Sequence, residues 1–133
     1  MEEHFLFPGD YVIFVKSKNK IMAVTIESTE LLKTYFDGVL HRADHHAKEV
    51  EHVSLSLLGA VIWKSVDEIQ VREVKEGYGN VLWFRTGGNR YALCYNHATK
   101  KIELRDRTQQ GETLEEFDNS TPSARVFEVF KNL

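Results

Sequence analysis

The chain is most constrained between Asn80 and Arg107, where two short breaks separate three runs suited to extended backbone. Val81-Leu82-Trp83-Phe84 is aromatic and branched, Tyr91-Ala92-Leu93-Cys94-Tyr95 alternates large with small, and Ile102-Glu103-Leu104-Arg105 alternates apolar with charged. Gly87-Gly88-Asn89 tolerates the positive φ that a tight reversal demands, and Ala98-Thr99-Lys100 marks a second reversal. The stretch is predicted to be a three-stranded antiparallel meander. Such a sheet needs apolar cover on at least one face, and the rest of the chain must supply it.

The first cover is legible after Ser28. A hydroxyl at Ser28 or Thr29 can accept a hydrogen bond from an orphaned helical amide, and Glu30 falls where the helix dipole favours negative charge. With Leu31 at zero and about 100° per residue, Leu32, Tyr35, Phe36, Val39, Leu40, Ala43 and Ala47 fill a sector from about 40° to about 180°. That stripe is predicted to face the core. Asp37, His41, Asp44, His45 and Lys48 lie opposite, and His46 sits at the margin. Gly38 weakens such a helix by roughly 1 kcal/mol relative to alanine, which calls for a packing reason or a kink. Residues 50–64 fit helical and extended spacing alike, but the run through Val50, Val53, Leu57, Ala60 and Val61 favours a buried helix between the sheet and the first helix.

Around this frame, Tyr11–Val15 and Ile21–Ile26 read as an N-terminal hairpin reversing at Ser17–Lys20, with a turn at Pro8-Gly9-Asp10 ahead of it. Val66–Val74 reads as a strand, and Gly77-Tyr78-Gly79-Asn80 as the turn into the meander. After Arg107 the chain turns polar, a loop anchored by Leu114 and Phe117, until Thr121-Pro122 opens a short helix that docks Phe127 and Phe130. The expected fold is a single α+β domain, residues 1–133, in which an antiparallel sheet (N-terminal hairpin plus C-terminal meander) packs against two central helices and a short C-terminal helix. A chain of 133 residues buries about two thirds of its unfolded surface, so it needs no cross-link, and the lone Cys94 offers none.

Charge and motif narrow the chemistry. Residues 80–107 carry six basic groups against two acidic ones in a chain of net charge −3, an asymmetry that suits either an anion-binding face or solvated strand edges, the latter being favoured. Asp37, His41 and His45 recur one helical turn apart and form the candidate metal set, with adventitious solvated histidines as the favoured reading. Trp83, Arg85 and Arg90 with Tyr91 and Tyr95 offer rings and guanidinium groups on a sheet, as single-stranded nucleic acid binders do, but an acidic chain without such a motif argues against nucleic acid. Cys94 and His97 point to opposite faces of an extended strand, which excludes a nucleophile–base pair between them.

No catalytic, phosphate-binding or cofactor motif is present, so no cofactor is expected and binding is favoured over catalysis. The leading expectation is a small binding domain acting through a protein partner or its own homodimer, with exposure of Trp83, Tyr78 or Tyr11 as its support. The competing one is a small-ligand pocket or simple enzyme between sheet and helices, lined by Tyr35, Trp63, Trp83 and Tyr95 with a histidine or an arginine at its mouth, Arg85 and Arg90 being the candidate arginines. The lone cysteine and the absence of a leader or of about 20 consecutive apolar residues point to the cytoplasm rather than a membrane.

Overall fold

The computed structural model describes the backbone of residues 2–7, 11–16, 22–74 and 77–133, and side chains over residues 23–72 and 81–133. Strands β1 (Glu2–Phe7) and β2 (Tyr11–Lys16) pair with each other, and a six-stranded sheet follows in chain order: β3 (Met22–Thr25), β4 (Gln70–Val74), β5 (Gly77–Arg85), β6 (Arg90–Asn96), β7 (Lys101–Asp106) and β8 (Thr113–Phe117). Every neighbouring pair is antiparallel. Helices α1 (Thr29–His46) and α2 (Glu51–Lys64), joined by a single 3-10 turn at Lys48–Val50, connect β3 to β4, and α3 (Ser123–Lys131) ends the described chain.

One row of paired positions organises the core. Val24, Val71, Leu82, Leu93 and Leu104 stand opposite one another across five consecutive strands, and all five are buried. The pleat places such partners on one face. Against it pack Leu31 and Tyr35 of α1, Val53, Leu57, Leu58 and Val61 of α2, and Val126 and Phe130 of α3, so the three helices share one side of the sheet. On the reverse face Val81, Trp83, Ala92 and Cys94 form a second, smaller buried cluster.

Local chemistry explains most boundaries. The Ser28 hydroxyl oxygen accepts from the Leu31 amide at 3.0 Å and opens α1, and Glu30 occupies its first turn. Residues 51–64 resolve as helix. The reversal at Gly87-Gly88-Asn89 closes with the Thr86 amide donating to the Asn89 carbonyl at 2.9 Å. At the next reversal the Asn96 side-chain oxygen accepts from the amides of Ala98 and Thr99, and Lys100 takes φ 59°.

The structure revises several expectations. Met22–Thr25 pairs with β4 rather than with Tyr11–Lys16, because Val24 completes the core row, while β2 takes Glu2–Phe7, whose apolar part is only the three residues Phe5-Leu6-Phe7. Gly77–Asn80 is the first part of β5, with Gly77 opposite Val74, and not a turn. Thr113–Phe117 is an edge strand rather than loop: its apolar residues lie three apart, the wrong period for one face, and a register shift accommodates them, burying Phe117 and leaving Leu114 exposed. Leu31, outside the expected stripe, is among the most buried side chains of α1. Only Phe130 of the two expected phenylalanines docks in the core; Phe127 stays on the surface. The turn at 8–10, the reversal at 17–20 and the side chains of Tyr11 and Tyr78 lie outside the described residues.

Candidate functional site

Between α1, α2 and the sheet lies a cavity of about 280 Å³. The amphipathic stripe of α1 supplies Tyr35, Val39 and Ala43, while α2 supplies Leu57 and Leu58. Leu82 of β5, Leu93 and Tyr95 of β6 and Ile102 of β7 complete the walls. The small residues Ala43 and Ala47 line the cavity from α1 and its C-terminal cap.

Polar groups gather on the α1 side and at the β6–β7 turn: Arg42, His46 and His97, with the two phenols. Burial drives the Tyr35 phenol well above its ordinary range, with the nearby Arg42 pulling the other way, so it is a neutral hydroxyl at physiological pH. Desolvation likewise lowers the Arg42 guanidinium, which Tyr35 partly offsets. The Arg42 Nη1 atom lies 3.3 Å from the place a Cβ at Gly38 would occupy, so the missing side chain one turn back gives the guanidinium room. Tyr95 and His97 meet edge to face at 4.8 Å, and burial, then Glu49, raise the Tyr95 phenol. Glu49 itself is 3.9 Å from Lys100.

The expected ligand set is divided among three places. Tyr35 and Tyr95 line the cavity. Trp83, Arg85 and Arg90 instead come together around a second depression of about 470 Å³ with Asp67 and Glu68, where Arg90 stands 5.6 Å from the Trp83 ring centroid. Trp83 is only 5% exposed, and Tyr91 is buried in the main core, so these rings serve packing rather than base stacking. Trp63 is 53% exposed on the outer side of α2, stacked on Phe127 at 5.3 Å.

His41 and His45 touch edge to face at 4.5 Å on the exposed side of α1. Asp37 is exposed on the same helix, and among the described residues no group of three or more histidine, cysteine, aspartate or glutamate side chains is placed to hold a metal ion. Cys94 belongs to the reverse-face cluster, where burial pushes its thiol up to about 11, far from the thiolate a nucleophile needs. The basic excess of residues 80–107 is dispersed: Arg105 pairs with Glu103, Arg107 lies 4.0 Å from Asp106, and Lys100 reaches Glu49.

Leu57 lies in the run already read as a buried helix, but nothing in the sequence marks it, Leu58, Arg42, His46 or His97 as lining a site. The nearest signal is position: His46 at about 60° on the helical wheel, and Arg42 at about 20°, stand beside the apolar stripe. Among the described residues no helix is long and apolar enough to cross a membrane. No curated protein matches the chain. Residues 32–126, which include the whole cavity lining, match the family described as integron cassette protein VCH_CASS1 chain, and the chain belongs to that family.

Proposed function

We propose that this member of the integron cassette family is a binding protein that holds a small, mostly apolar molecule in the cavity between α1, α2 and the sheet. The observation that carries the reading is the cavity itself, about 280 Å³ walled by leucine and aromatic side chains. An apolar cavity of about 150 Å³ suffices for benzene, and ligand pockets run from about 300 Å³ upward, so a single ring or a short chain fits the available space. The raised thiol pKa of buried Cys94 disfavours that side chain as a nucleophile. The lone buried thiol supports a reducing, cytoplasmic setting. Calorimetric titration with 4-phenylbutan-1-ol tests the reading: saturable one-site binding is expected, and its loss in Ala47→Trp, which fills the cavity from its half-buried rim. No saturable binding to the wild type would refute it.

A second reading, self-association through α2, is favoured by a separate observation. Leu55, Gly59, Ile62 and Trp63 line one exposed side of that helix, and Trp63 continues onto the exposed Phe127. Mass in solution over a hundredfold concentration range checks it: a dimer that Ile62→Glu converts to monomer is expected, and a concentration-independent wild-type monomer excludes it.

A further inference from the structure

We infer that two copies of this chain pair along antiparallel α2 helices with the two-fold axis at Gly59, a contact that rests on the self-association reading above and gives it an orientation and a centre.

Gly59 marks the axis. It lies inside α2, where glycine weakens a helix relative to alanine, yet a Cβ at this position would meet nothing within 4 Å. The single chain has no use for the missing side chain, whereas close approach of a second backbone does. At about 100° per residue, Leu55, Ser56, Ile62 and Trp63 share one sector with Gly59, and all five are exposed. A two-fold rotation at Gly59 exchanges residues equally far from it along the helix. Trp63 then meets Leu55 of the second copy, four residues out on either side, and Ile62 meets Ser56, three residues out. Each pair sets a larger side chain against a smaller one, as a surface that must complement itself requires.

Polarity selects the antiparallel order. Glu51 occupies the first turn of α2 and Lys64 the last, so antiparallel pairing sets unlike ends and opposed helix dipoles side by side, and parallel pairing sets like ends together. Among the described residues, four of the six large apolar side chains that stay exposed, Leu55, Ile62, Trp63 and Phe127, gather on this surface, a concentration rather than the scatter of an ordinary solvated face. Half-exposed side chains of that size present roughly 400 Å² per protomer, and with the exposed His52, Ser56 and Gly59 a two-fold pair buries on the order of 1,000 Å², enough for a specific interface.

Thiol cross-linking of the full chain tests the orientation. Mild oxidation of an equimolar mixture of Ser56→Cys and Ile62→Cys chains is expected to yield covalent dimer, and either variant alone several-fold less. A disulfide needs Cα atoms within about 7 Å, and like positions of the two copies are offset by about 9 Å along the helix. The wild type, whose only thiol is the buried Cys94, supplies the background. Gly59→Leu is expected to raise the dissociation constant of the dimer at least about tenfold, read from mass in solution, with the circular dichroism unchanged because the new side chain meets nothing in its own chain. No more covalent dimer from the mixture than from either variant alone, or a dimer indifferent to Gly59→Leu, overturns the axis at Gly59 while self-association stands. A wild-type monomer at every concentration, or a dimer indifferent to Ile62→Glu as well, removes both.

Discussion

Glu103 shows how one side chain can look catalytic and be structural. It is 4% exposed, yet its Oε1 accepts from both Nε and Nη2 of Arg105, its Oε2 accepts from the Asn96 amide at 3.0 Å, and the Thr113 hydroxyl stands 3.5 Å from Oε1. Burial alone would push this carboxyl up, but the hydrogen bonds from Arg105, Asn96 and Thr113 outweigh it and hold it below its ordinary value of about 4.5. A depressed folded-state pKa stabilises the fold above the unfolded value, and that stabilisation fades as pH falls through the folded one. Glu103→Gln is therefore expected to cost about 2 kcal/mol at neutral pH, the worth of hydrogen bonds to a charged group, with the difference from wild type shrinking below about pH 4.5. Chemical denaturation at a series of pH values measures it.

Among the elements, α1 and α2 differ in how they start. Ser28 caps α1 from the adjacent residue, whereas no side chain at the start of α2 caps it. Asn119 does so from the β8–α3 connection: its side-chain oxygen accepts from the amides of His52 and Val53 at 2.9 and 3.0 Å, and its amide donates to the Lys48 carbonyl at 2.7 Å. Asn119→Ala is expected to lower stability by about 1–2 kcal/mol, read from the urea midpoint. Gly38→Ala is expected to raise stability by up to about 1 kcal/mol through helix propensity, the flexible end of Arg42 giving the few tenths of an ångström that the new methyl group needs. The same contrast explains what the sequence disclosed. A cap next to its helix, glycines at a reversal and a one-sided stripe on α1 are local patterns; the structure carries the first two in full and the third in part, with Tyr35 and Ala43 buried, Phe36, Val39 and Ala47 packed at the margin, and Leu32 and Leu40 half-exposed beyond it. The Asn119 cap is 66 and 67 residues from its partners and left no trace. Trp63 is expected in a pocket because α2 is apolar on most sides and periodicity does not orient it, while Arg42, just off the stripe of α1, draws no expectation from the pattern.

For the molecule as a whole, three phenyl rings join its C-terminal helix to the middle and the edge of the sheet. Phe130 of α3 stacks on Phe84 of β5 at 5.8 Å and meets Phe117 of β8 at 6.3 Å, and all three are at most 1% exposed. Phe130→Ala is expected to cost about 3–5 kcal/mol, a large share of the roughly 5–15 kcal/mol that holds a domain of this kind together. The urea midpoint of this variant should fall further than that of Asn119→Ala. The placement of Asn119 also bears on synthesis. A ribosome adding about 5–20 residues per second delivers α2 several seconds before the asparagine that caps it. Until then the amides of His52 and Val53 lack the side-chain oxygen that caps them in the finished fold, and the start of α2 stays open to water.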